Sequence, residues 1–237
     1  MGFVWPASPE QLIAHQQELA LAPATLWRPE SGALAIGACV VVFARGYKGP
    51  GAAGDRAWVA ASVLRDRHVL AAAGIVAYAG AAYAPGLLAL REGPCLEAAV
   101  RALAVRPDVL LVDGTGRDHP RQAGLALHLG AAVDLPTIGV THRPLLASGP
   151  WPEDRPGATS PLLLDGELVG MWLRTRAGAR PLAVHPAWRT DLDTAAQTIG
   201  RATYEHRTPE PLRHARTLAR SARARHSSRA EHHPTNH

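Results

Sequence analysis

Asp113 closes the run Asp108-Val109-Leu110-Leu111-Val112-Asp113, with Gly114 and Gly116 just behind it. Ligands of α/β sheets sit at the carboxyl ends of the strands, so a buried strand ending on a carboxylate is where a working acid belongs. Asp-Gly is also ordinary turn chemistry, which is the plain alternative. Glu92 falls in Tyr83-Ala84-Pro85-Gly86-Leu87-Leu88-Ala89-Leu90-Arg91-Glu92, where a charged pair interrupts an apolar helix. Such charge is costly unless paired, metal-bound or at the helix edge; a surface pair of Arg91 with Glu92 would satisfy it. Asp118-His119-Pro120-Arg121 opens the next helix. There His119 and Arg121 are placed to reach phosphates, aided by the positive helix end. Asp118 as N-cap with Pro120 in the first turn is compatible with that role.

The elements that must position these residues are legible in outline. Ser8-Pro9-Glu10-Gln11 offers an N-cap, a first-turn proline and a Gln three residues after the cap, predicting a helix that ends near Pro23. Leu34 to Phe43 reads as a central strand, and Ala57 to Leu64 with His68 to Val76 as a hairpin. A helix over Leu87 to Val105 then leads to the strand ending at Asp113. Next come a helix over Pro120 to Val133 and a strand over Pro136 to Thr141, an alternation that argues for parallel pairing. Asp165-Gly166 marks a hairpin within Leu162 to Leu173. A last strand covers Pro181 to Val184, and helices follow over about Thr190 to His206 and Pro209 to Arg225. The expectation is an α/β fold with antiparallel first strands, then parallel ones, flanked by helices.

With 237 residues, 47% of them apolar and 19% charged, the chain can form a packed core, and wholesale disorder is excluded. The net charge of +5 is concentrated at the end: from Arg213 onward there are six Arg and one acid, Glu231. Such a tail can hold nucleic-acid phosphates by counterion release, or simply be solvated. We expect one domain over residues 1–218 and a basic, disordered tail over 219–237. Cys39 and Cys95 are too few for a disulfide scaffold, which points to a reducing, cytoplasmic setting. The N-terminus lacks a secretory pattern. Val69 to Leu90 carries no charge but is Ala- and Gly-rich and broken by Pro85, so no membrane span is expected.

The stretches YAPGLLALREGP (83–94), PDVLLVDGTGRDHPRQAGLALHLG (107–130), LPTIGV (135–140) and PEPLRHA (209–215) together resemble the endonuclease V family. The similarity runs from about Gln11 to Leu218 in the family's order. The resemblance implies a ribonuclease-H-like fold and a metal-dependent endonuclease that recognises deaminated bases, chiefly hypoxanthine, in DNA or RNA. It would hydrolyse a nearby phosphodiester on the 3′ side, in repair, as a monomer. Asp113 and Glu92 would hold Mg²⁺, with Mn²⁺ as the alternative ion. Tyr83, next to Pro85, resembles the wedge that fills the gap left by a flipped base. Gly86, Gly114 and Gly116 resemble parts of the base pocket, and His119 and Arg121 belong to the nucleic-acid-binding set.

Several departures fall on the catalytic centre. Cys39, in Gly37-Ala38-Cys39, stands where the family has a metal-binding Asp, and sulfur is a soft ligand for Mg²⁺. Trp188, in His185-Pro186-Ala187-Trp188, stands at a His of the family pattern; His142 replaces a Lys, Thr115 a His, and Ala82 a Pro. Asp191, Asp193 or His185 could compensate, or Cys39, Glu92, Asp113 and His185 could suit Zn²⁺; a buried, inert Cys39 is the alternative. The readings are an active but altered endonuclease, a non-catalytic binder of deaminated or structured nucleic acid, and a fold recruited elsewhere.

Overall fold

The computed structural model describes residues 3–46 and 49–231. Helix α1 (Pro9–Leu21) starts where expected, with Ser8 Oγ accepting from the Gln11 amide. Three antiparallel strands follow, β1 (Ala35–Phe43), β2 (Arg56–Arg65) and β3 (His68–Tyr78). After α2 (Leu88–Arg101), β4 (Val109–Val112) pairs parallel to β1, with Cys39 opposite Val112. Helix α3 (Leu125–Val133) returns the chain to β5 (Thr137–Thr141), parallel to β4. The hairpin of β6 (Thr159–Leu164) and β7 (Glu167–Leu173) turns through Asp165 and Gly166, both at positive φ, as a two-residue turn requires. Strand β8 (Leu182–Pro186) runs antiparallel between β5 and β7, and α4 (Leu192–Arg201) and α5 (Glu210–Glu231) complete the chain. The sheet order is β3-β2-β1-β4-β5-β8-β7-β6.

Strand alternation builds two cores. Cys39, Val59, Leu110 and Val112 face α1, α2 and α3, whereas Ala38, Val40, Val109 and Leu111 face α4 and α5.

Three expectations need correction. The helix expected over Pro120 to Val133 starts at Leu125 behind an N-cap of Gly124, because Gln122 adopts a positive φ and breaks the helical path. Asp118 is thus no helix cap: fully buried, its carboxylate accepts from the backbone N–H groups of Leu145, Leu146 and Ala147. The boundary expected after residue 218 falls inside α5. That helix continues because Ala219 is buried against the sheet and Arg223 donates to the Phe43 carbonyl. Residues 232–237 of the expected tail lie outside the described residues. Among the described residues no helix is long and apolar enough to cross a membrane.

Candidate nucleic-acid site

Asp113 follows the last residue of β4, and a 2.9 Å hydrogen bond from Gly114 N–H to Val112 C=O turns the chain sharply there. Its side chain is 42% exposed, and its Oδ2 accepts from Arg216 Nη2 at 2.7 Å. Glu92 approaches from α2. Burial first, then the Asp113 charge, push Glu92 up to about 8 against the opposing pull of Arg91. Burial, with the charges of Asp113 and Glu92, also pushes the Cys39 thiol far up. These three side chains are therefore electrostatic neighbours.

Arg91 does not form a surface pair with Glu92. It is buried, donates to Asp55 Oδ2 at 2.9 Å and to the carbonyls of Ala52 and Ala81, and stacks over Phe43. It ties down the loop before α2 while Glu92 serves the strand ends.

That loop forms one lip of a cavity of ≈ 230 Å³ lined by Gln16, Tyr83, Gly86, Asp113, Gly114 and Leu125, among others. Tyr83 is 46% exposed at this edge, and Pro85 is exposed beside it. Gly86 has φ +74, and its carbonyl accepts from Gln16 Nε2 (3.1 Å), His119 Nε2 (3.1 Å) and Arg121 Nη2 (2.9 Å). Arg121 N–H donates to His119 Nδ1, which assigns the proton of that neutral ring to Nε2. Burial, chiefly, lowers His119 to about 4. His119 and Arg121 thus lock the lip rather than standing free at a helix end. Gly116 does not line the cavity: a Cβ there would strike the Pro186 carbonyl, so its bareness lets the loop pass β8.

The proposed substitute ligands are engaged elsewhere. Asp191 caps α4 and pairs with Arg28, and Asp193 lies in that helix's first turn. His185 is buried in β8, its Nε2 3.0 Å from Thr141 Oγ1, and the charge it feels is that of Asp118. Trp188 packs its backbone and Cβ against Thr137 and Gly130, outside the cavity lining. Among the described residues no three His, Cys, Asp or Glu side chains form a group able to hold a metal, which corrects the Zn²⁺ set. The donors do not fit Mg²⁺ either: the Asp113 carboxylate is held by a guanidinium, and the third position is a buried thiol rather than a carboxylate.

Arg216 and Gln16 were not foreseen. Arg216 follows PEPLRHA directly, yet charge on a helix says nothing of its partner; Gln16 looked like any polar position of α1. A basic rim surrounds the acid: Arg207 Nη1 donates to His142 Nδ1 at 3.0 Å, and Arg207 and Arg216 both help burial hold His142 low.

Fold and site define a ribonuclease-H-like α/β protein with a carboxylate pair at its strand ends, beside a small cavity. The family model for endonuclease V matches residues 40–217, and the chain belongs to the endonuclease V family. An endonuclease V of Gloeobacter violaceus is 36% identical over 224 residues, 92% of this chain and 89% of that one. The chain spans only 62–64% of the length of several other curated relatives it matches. The crystal structure of endonuclease V from Streptomyces avermitilis superposes with a TM-score of 0.82 at 36% identity, covering 94% of this chain and 96% of that one. At 21% identity and TM-score 0.71, a Ciona intestinalis endonuclease V structure shares the fold, with 91% of this chain and 98% of that one covered. It holds a 24mer DNA containing an inosine followed by a ribo-adenosine.

Proposed function

We propose that this chain recognises deaminated purines, chiefly hypoxanthine, in DNA or RNA, and that its phosphodiester hydrolysis is impaired so that binding dominates. The observation that carries this reading is the cavity beside Asp113. It is smaller than a typical pocket for a drug-sized ligand and suits a single flat heterocycle. Gly86 and Gly114 let backbone close on the base, Leu88 and Leu125 offer apolar faces, and Thr115 offers a polar edge, while Gln16 holds the lip through Gly86 and Arg121. Tyr83 stands half-exposed at the lip, where it can stack on the step the base vacates. Impaired cleavage is supported by Cys39, by the Arg216 pair on Asp113, and by the engagement of Asp191 as the cap of α4 and the partner of Arg28. A divalent ion would supply water activation and charge neutralisation when bound. The present donors do not make its site, so no hydrolytic step is assigned to them.

Fluorescence anisotropy on matched oligonucleotides with and without inosine, as DNA and as RNA, tests recognition; gel assays with Mg²⁺ or Mn²⁺ test cleavage. The expected result is inosine-selective binding without appreciable cutting. Robust cutting that Asp113→Ala abolishes would establish an active enzyme instead, and equal affinity for both oligonucleotides would remove the recognition claim.

A further inference from the structure

We propose that Arg216 is the resident cation of this site: it occupies Asp113, keeps divalent ions away, and gives the protein a metal-free contact to nucleic-acid phosphate. The inference rests on the reading of the cavity as a nucleic-acid site only in its last clause; the exclusion of metal stands on geometry alone.

Arg216 is delivered by a helix that cannot drift. Leu212, Ala215 and Ala219, on the same helix one turn before, beside and one turn after it, are buried against the sheet. Ser62 Oγ donates to the Pro211 carbonyl at 3.0 Å, fixing the start of α5, and Arg223 ties its later turns to β1. The guanidinium itself is only 19% exposed and donates to Asp113 Oδ2 at 2.7 Å, the geometry of a strong charge-assisted bond. A divalent ion reaching that oxygen would have to displace this bond and then remain beside a fixed positive charge. Cys39 supplies no oxygen to offset the loss. The fork's other N–H groups match a phosphate, and Arg207 and His142 add positive and donor character nearby.

Two measurements separate the parts. Thermal melts with Mg²⁺ and Mn²⁺ are run on the natural chain, Asp113→Asn, Arg216→Gln, Cys39→Asp/Arg216→Gln, and that double variant with Asp113→Asn added, each first checked for a cooperative transition. The natural chain is expected to show no saturable shift. Arg216→Gln should gain an upward shift with Mn²⁺, the double variant a larger one, and Asp113→Asn should abolish it. A saturable shift of the natural chain that Asp113→Asn removes would overturn the exclusion, as would a folded Arg216→Gln and double variant that both stay flat. In the second measurement, affinity for an inosine oligonucleotide is compared in EDTA and in Mg²⁺. The natural chain should bind equally in both, and Arg216→Gln should lose roughly tenfold in EDTA. An unchanged affinity for Arg216→Gln would sink the phosphate contact. If the natural chain binds no nucleic acid at all, the recognition reading and the phosphate contact fail together, while the melts still decide the exclusion of metal.

Discussion

Cys39 shows how one side chain can redirect a site. It lies in the middle of the sheet, fully buried between β2 and β4, so its neighbours were selected to pack against a small apolar group. Replacing it with Asp inserts a carboxylate beside Glu92 and Asp113 at a fully buried position. Without a cation, Cys39→Asp should lower stability by roughly 3–5 kcal/mol, the scale of an uncompensated buried charge, measured by urea unfolding in EDTA. A loss below about 1 kcal/mol would mean that water or a partner reaches β1. Tyr83 is the opposite case, since its side chain stands half-exposed at the cavity edge. Tyr83→Ala should leave the melting temperature unchanged and weaken inosine binding by about 1–3 kcal/mol, the value of one base–aromatic stack. Equal weakening toward an inosine-free oligonucleotide would make Tyr83 a general stacking platform rather than a wedge.

Elements were legible wherever a local signal decides them. The Ser8 cap, the Asp165-Gly166 turn and the apolar run of β1 each carry their cause within a few residues, and all three stand where expected. Failures occurred where the deciding partner is distant in sequence. Asp118 looks like a cap until the Leu145–Ala147 amides reach it, and Gly116 looks like a pocket residue until Pro186 is seen against it. The acidic pair was readable through the resemblance, but its Arg216 partner, 103 residues away, was not. The end of α5 is the same kind of miss. Composition suggested a solvated tail, whereas Ala219 is buried, Arg223 bonds to Phe43, and the His226 ring lies edge-on to Trp58 at 5.8 Å. Ending the chain after Leu218 should therefore cost about 1–3 kcal/mol, the sum of one hydrogen bond and modest apolar burial, read from the urea midpoint. An unchanged midpoint would show that these contacts add nothing.

Across the whole molecule, the buried histidines set the response to acid. Burial holds His119 and His185 to about 4 and His128 to about 3, below the ordinary imidazole value of 6.5. His128 is fully buried and sits among Phe3, Trp5 and His15. Between about 4 and 6.5 the unfolded chain binds protons at these rings that the folded chain refuses. Stability is therefore fully present above 6.5 and falls as pH drops, each histidine contributing up to about 1.4 kcal/mol per pH unit. Glu92 acts in the other direction: raised from 4.5 to about 8, it binds a proton in the folded chain that the unfolded chain has lost, so its contribution declines as pH rises across that interval. Below pH 6.5 these three rings, joined by His142, which is also held low, oppose Glu92, and Glu92 stands alone above it. The chain should be most stable near pH 6.5, with a steep acid limb and a shallow alkaline one, in denaturant unfolding from pH 4 to 9. His128→Phe should flatten the acid limb by up to about half even if packing changes its height, and Glu92→Gln should remove the alkaline slope. An alkaline slope that survives Glu92→Gln would place that proton on another group, and with it the electrostatic coupling drawn here between α2 and the end of β4.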